Sequence, residues 1–310
     1  MKNIDVSIII INYNSYELTK NAIDSLVKYS KGFSYEIILI DNASSDSSGD
    51  KLLNYFPQYN IFLNKDNVGF SRANNQALKI AKGQHVLFLN NDTLFRENTI
   101  SVLLKYLKTR HESILIAPKL LNRDETLQYS TYRFQSLWLS FTTYFFLYSI
   151  FPKSKYFNRY YLMNQRVNEI TEVEGVTGAF MLLKKEDVIA INGFDENFFF
   201  YGEDNDLCKR FRTNGGKIIY YPLTHIIHLK GGTKKTDWFH EKYHTISVLK
   251  LFNKHFPLYK RIFAYLFMYV GKILRIILLI AKYIINRKKN YLVQAKLKIK
   301  TLRLTAGSKL

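Results

Sequence analysis

A chain of 310 residues, 47% hydrophobic and 15% aromatic, can bury a large core with appendages and is neither disordered nor fibrous. Its single cysteine, Cys208, excludes an internal disulfide, fits a reducing compartment and reads as a small filler on a helix. The net charge of +20 is uneven: Lys242 to Leu310 holds 16 Lys or Arg and no acid, leaving 29 basic against 25 acidic residues before it. Such a tail calls for an anionic partner, a membrane surface or a nucleic acid.

The apolar run Val6 to Ile11 is too short for a signal-peptide core and reads as a first strand ending at Asn12-Tyr13-Asn14. A helix follows to about Tyr29, with Leu18, Ala22, Leu26 and Val27 on one face. Glu36 to Ile40 is a second strand, ending at Asp41-Asn42, and the small polar run Ala43 to Gly49 is a loop. Ile61 to Leu63 is a third strand. Asn67-Val68-Gly69-Phe70-Ser71-Arg72 then leads into a helix through about Lys82, closed by Gly83. Val86 to Leu89 is a fourth strand, and it stops abruptly at Asn90-Asn91-Asp92.

Four strand and helix alternations predict a mostly parallel, doubly wound α/β sheet with helices on both faces. Three strands end in Asn12, Asp41 and Asn90, at the sheet edge where open α/β folds bind ligands. Each ending alone is an ordinary Asn/Asp turn; three in register suit a nucleotide with a hard divalent cation.

Glu97 to Arg110 reads as a helix and Ile114 to Ala117 as a strand before Pro118. Residues 134–152 carry no charge and are long enough to span a bilayer, but six polar residues dilute them. An aromatic helix touching lipid or a lipid-like acceptor and an ordinary core helix are both open readings. Gly175 to Lys184 returns to strand, followed by a short helix near Glu186 to Ala190. Glu203, Asp204 and Asp206 open a helix running to about Thr213, where carboxylates either cap the dipole or supply a general base. Lys217 to Tyr221 is a strand before Pro222, and His225 and His228 follow near the candidate cation site.

In the tail, Arg261, Lys272, Arg275, Lys282, Lys289 and Lys296 fall at steps that keep them on one helical face, with long aliphatics between. Charges inside Lys272 to Lys282 make a spanning helix costly, so a basic amphipathic helix in the interface of an anionic membrane is expected. A nucleic-acid partner is not expected, because aliphatics rather than polar and aromatic groups separate the charges.

The motifs in order, from Val6 to Asn14, Asp41 to Ser44, Asn67 to Asn75, Leu89 to Asp92 and Phe200 to Leu207, with His228, resemble glycosyltransferase family 2, in particular its bacterial rhamnosyltransferase-like members. The resemblance spans roughly Ile4 to Thr233. It implies a GT-A fold and an inverting transfer from a nucleotide-diphosphate sugar, with Mn2+ or Mg2+ as cofactor. It places Asn12, Asn14, Asp41, Asn67, Gly69, Arg72, Asn75 and Asn91 at the nucleotide-sugar, with Asp41 reading the base. Asn90, Asp92 and His228 fall to the metal, and Asp204, beside Glu203, to the catalytic base. One departure stands out: Asn90 occupies a position where many relatives have Asp, which removes a negative charge from the cation site. The resemblance suggests deoxythymidine diphosphate-rhamnose as donor and leaves uridine diphosphate sugars open.

The expected organisation is a catalytic domain over 1–240, with a nucleotide half (1–120) and an acceptor half (121–240), and a membrane-associating tail over 241–310. The expected protein is cytoplasmic, peripheral on the inner face of the cell membrane, and works on a lipid-linked or oligosaccharide acceptor of a surface polysaccharide. The alternative is a nucleotide-binding membrane scaffold that has lost catalysis, with Asn90 as its symptom.

Overall fold

The computed structural model describes residues 4–158, 167–230 and 237–306. In chain order the elements are β1 (Val6–Asn12), α1 (Tyr16–Tyr29), β2 (Tyr35–Asp41), α2 (Ser48–Tyr55), β3 (Asn60–Leu63), α3 (Phe70–Ile80), β4 (His85–Asn90), β5 (Thr93–Leu94) and α4 (Thr99–Lys108). There follow β6 (Ile114–Leu121), β7 (Thr131–Tyr132), α5 (Leu137–Tyr144), α6 (Leu147–Ile150), β8 (Thr171–Val173), β9 (Gly175–Val176), β10 (Phe180–Lys184) and α7 (Lys185–Ala190). The chain continues through α8 (Glu203–Thr213), β11 (Lys217–His228), α9 (Asp237–His255), α10 (Leu258–Asn286) and α11 (Lys289–Ala306).

Two compact units result. The first comprises residues 1–133, 162–199 and 203–234; the second comprises 134–161, 200–202 and 235–310. The expected division near residue 240 therefore differs from the observed grouping, in which the aromatic segment after Arg133 clusters with the C-terminal helices.

In the first unit the sheet order among the described residues is β3-β2-β1-β4-β10-β6-β11-β5, with β8 on β11. Pairs β1–β2, β1–β4, β2–β3 and β6–β11 are parallel; β10 runs antiparallel between β4 and β6, and β5 antiparallel to β11. All seven residues of β1 are buried, as a strand with neighbours on both sides and cover on both faces requires. Ile8, Ile10, Leu39, Leu87, Leu182 and Ile116 from five adjacent strands share one core, joined by Ile23 and Leu26 of α1. Cys208 is wholly buried on α8, and burial pushes its thiol up to about 12, so it is packing rather than a nucleophile.

Two strands outrun their expected ends. β6 continues through Pro118 to Leu121, and β11 through Pro222 to His228. The ladder between them shifts register between Tyr221 and His225, and a strand absorbs proline at such a bulge because the missing N–H is not needed there. This extension matters for the site, because it places His228 opposite Thr93.

In the second unit the uncharged segment is two short helices rather than one span. Phe146, at φ 62°, breaks α5 from α6. α5 packs on α10 through Phe141 and Phe145, which meet Phe267 edge-on at 5.4 and 6.1 Å. Gly271 permits the approach, since a Cβ there would lie 2.5 Å from the Tyr144 carbonyl oxygen. The tail is not one basic-faced helix: Arg287, at φ 54°, ends α10 and the chain turns into α11. Lys272, expected on the basic face, points inward and donates to Thr245 Oγ1, Thr305 Oγ1 and the Thr301 carbonyl.

Candidate active site

Asn12 at the end of β1 is paired in register with Asp41 at the end of β2, and Ile11 with Asn90 at the end of β4. The three polar endings thus meet at one sheet edge. Asn12 is fully buried and donates through Nδ2 to Asp41 Oδ2 (2.6 Å) and Ser48 Oγ (2.9 Å), while its Oδ1 accepts from Thr19 Oγ1 (2.6 Å). Asn91 Nδ2 donates to the same Thr19 hydroxyl, tying the turn after β4 into the network. Asp41 also accepts from Ser44 N–H and Ser44 Oγ. Three of the roughly four lone-pair positions on this carboxylate are therefore filled. Asn14, at φ 50°, pins the next loop by accepting from the Ser45 N–H at 2.7 Å.

The start of α3 is fastened the same way. Asn42 Nδ2 donates to Asn67 Oδ1, which also accepts from the Gly69 N–H. Gly69 sits at φ 88°, and a Cβ would meet the Phe199 ring at 2.7 Å, so both conformation and space demand glycine. Arg72 pairs with Glu196 at 2.9 Å, and Asn75 is consumed by the backbone N–H and C=O of Phe194. Asn75 therefore anchors the 194–199 segment to α3.

Asp204 opens α8 and each of its oxygens is held. Oδ2 accepts from the Gly178 N–H (3.1 Å), and Oδ1 from the Asn205 N–H (2.7 Å) and side-chain amide. The residue after Gly178, Ala179, accepts from the Asn90 N–H through its carbonyl. Adjacent residues thus link the Asp204 carboxylate to the polar turn at the end of β4. Glu203 is half-buried beside it, whereas Asp206 is fully buried and bound to Arg210 at 2.7 Å, a structural ion pair.

His228 Nε2 lies 3.2 Å from Asp92 Oδ1 and 3.3 Å from Asn90 Nδ2, so the three residues assigned to the metal converge. His225, three positions earlier, turns to Glu97 instead (2.9 Å) and has no part in the cluster. Among the described residues no group of three or more His, Cys, Asp or Glu side chains gathers to hold a metal. The donor set nevertheless fits a cation: an oxygen and an imidazole nitrogen face each other at a separation that a hard divalent ion can bridge, and diphosphate oxygens can complete the shell. Thr19, Ser48, Gly178 and Gln128, the last hydrogen-bonded to the His228 ring, escaped sequence reasoning. Only their contacts mark them, since an isolated small or polar residue, on a helix like Thr19 and Ser48 or in a loop like Gln128, carries no periodic signal.

A mixed sheet of this order, with its polar side chains crowded at one edge, is the GT-A arrangement. Two solved structures share it: GalNAc-T7 with UDP, GalNAc and Mn2+ (TM-score 0.57, 16% identity, 76% of this chain and 45% of that one) and S. aureus TarS 1–349 (TM-score 0.53, 13% identity, 87% and 80%). The profile of glycosyl transferase family 2 matches residues 7–189, and that of the N-terminal domain of galactosyltransferase matches 158–231. The chain belongs to glycosyl transferase family 2 and is a glycosyltransferase. Rhamnosyltransferase WbbL of Escherichia coli (strain K12) is 28% identical over 236 residues, 72% of this chain and 83% of that protein. Poly(ribitol-phosphate) beta-glucosyltransferase of Bacillus spizizenii is 40% identical over 92 residues, 28% of this chain and 14% of that protein.

Proposed function

We propose that the enzyme transfers a hexose from a nucleoside diphosphate sugar, with inversion, to a hydroxyl of a cell-envelope polysaccharide under assembly on a lipid-linked acceptor. The observation that carries this reading is the convergence of Asp92 and His228 at the sheet edge to which Gly178 and Ala179 tie Asp204. The curated relatives, named for rhamnosyl and poly(ribitol-phosphate) glucosyl transfer, support the acceptor class.

Asn12, Asp41 and the loop pinned by Asn14 form the nucleoside side of the pocket, with Asp41 accepting from the base through its remaining lone pair. Asp92 and His228 would hold Mn2+ or Mg2+, which when bound neutralises the diphosphate as it leaves. Asp204 takes the proton of the acceptor hydroxyl, whose oxygen attacks the anomeric carbon opposite the diphosphate. The backbone donors at Asp204 fix the carboxylate in place before substrate arrives.

Asp204→Asn keeps the side-chain size, exchanges one accepting oxygen for an NH2 group and removes the proton acceptor. Transfer should fall by about 10²–10⁴-fold, with donor binding by calorimetry within about twofold of wild type. Normal turnover by this variant would remove Asp204 from the base role. A scaffold without catalysis would instead bind donors and show no turnover across a donor panel.

The same reading takes the second unit as an interfacial membrane element on the cytoplasmic side. α10 is long and apolar enough to cross a bilayer, with an 18-residue stretch of mean hydropathy 2.0. One stripe, Ala264, Tyr265, Met268, Gly271, Lys272, Ile276 and Leu279, is buried within the unit, while Ile262, Phe263, Leu266, Leu274, Ile277 and Ile284 are exposed. Exposed aliphatics among Arg261, Arg275 and Lys282, with no acid after Glu241, suit an anionic lipid surface.

A further inference from the structure

The buried Gln128, 2% exposed, lies 100 residues before His228 and holds it at two points. Its Nε2 donates to the His228 carbonyl (2.9 Å) and to Asn122 Oδ1 (2.9 Å), and its Oε1 lies 2.6 Å from His228 Nδ1. Each amide in this chain can face only one way. Asn122 Nδ2 donates to the Leu127 carbonyl and to Thr126 Oγ1, so Asn122 Oδ1 is left only to accept. Gln128 must then present its NH2 to Asn122 and to the His228 carbonyl, because a rotated amide would set oxygen against oxygen at both contacts.

With the amide fixed, Gln128 Oε1 can only accept, and His228 Nδ1 must carry the ring proton. In the Nδ1–H tautomer the Nε2 lone pair accepts from Asn90 Nδ2 (3.3 Å) and faces Asp92 Oδ1 (3.2 Å). Two acceptors face each other at 3.2 Å, a contact that a shared cation relieves.

We infer that Gln128 is a positioning residue that sets the tautomer and orientation of His228, so that Nε2 faces the space beside Asp92 as a ready metal ligand. The inference rests on the reading that Asp92 and His228 take a divalent cation. It adds a partner outside the ligand set, reached through the hydrogen bonds Asn122–Gln128–His228. A positioned imidazole also compensates for Asn90, whose neutral amide contributes less to cation affinity than a carboxylate would.

The test uses the full-length protein. In metal-free wild type, long-range 1H–15N spectra of the imidazole nitrogens, with His228 assigned by loss in His228→Ala, should show the proton on Nδ1. Gln128→Leu should lose that preference and weaken Mn2+ binding, read by water-proton relaxation, by about 10–100-fold. A wild-type proton on Nε2 overturns the inference without recourse to any variant. An altered tautomer in Gln128→Leu with unchanged Mn2+ affinity overturns the positioning role alone. Absence of Mn2+ binding by the wild type overturns the cation reading beneath it.

Discussion

Asn12 shows how one side chain can organise a pocket. It has no exposed surface, yet it joins β1, β2, α1 and α2 through Thr19, Asp41 and Ser48. Asn12→Ala leaves those buried groups short of partners, and each buried polar group left unsatisfied costs about 1–3 kcal/mol. A urea denaturation curve should move to a lower midpoint by that order, and an unchanged midpoint would mean that the network carries no stability. The strand-end residues were legible in the sequence because an apolar run that stops at Asn or Asp marks a strand end. Asn75 shows the opposite case. Its position matches the motif, but its amide is spent on the Phe194 backbone, which only tertiary contact reveals. Gln128 left no trace in the sequence for the same reason.

At the scale of elements, β11 departs most from the sequence pattern. Pro222 reads as the end of a strand, but the bulge after Tyr221 lets the strand resume and present His228 opposite Thr93. Local propensity gave way there to the ladder with β6. In α10 the pattern of apolar residues and lysines was visible, but the choice of buried face was not. Lys272 went inward because Thr245 of α9 and Thr301 and Thr305 of α11 supply oxygen partners. Burial, reinforced by repulsion from Lys298 and opposed by Glu241, pushes Lys272 down to about 7 from its ordinary 10.5. Between those two values the unfolded chain holds a proton that the folded helices lack, so stability of this unit should rise as pH rises from about 7 to 10.5. Below about 7 both states are protonated and the cost of burying the charge is complete. Lys272→Met should therefore raise the melting temperature most at about pH 6.5 and flatten its rise toward about pH 9.5. An equal gain at both pH values would contradict the shift.

For the whole molecule, the alternation of strands and helices gave the α/β class and the ordered motifs gave the family. The antiparallel insertion of β10 and the grouping of residues 134–161 with the C-terminal helices were not readable, because both depend on long-range pairing. The membrane reading is checked by sedimentation with phosphatidylserine vesicles. The full chain should pellet at low salt, and replacing Arg275, Lys282 and Lys289, all exposed, with Gln should weaken binding, each charge contributing about 1 kcal/mol. Equal binding to neutral vesicles and by the triple variant would reject an electrostatic interface. The central claim is that Asp92 and His228 grip a cation that in turn holds the donor diphosphate. Calorimetric titration of nucleoside diphosphate with and without Mn2+, in wild type and in Asp92→Asn, tests it most directly. The account predicts tight binding only with Mn2+ in the wild type, lost in the variant; binding of equal strength after chelation, or in Asp92→Asn, would contradict it.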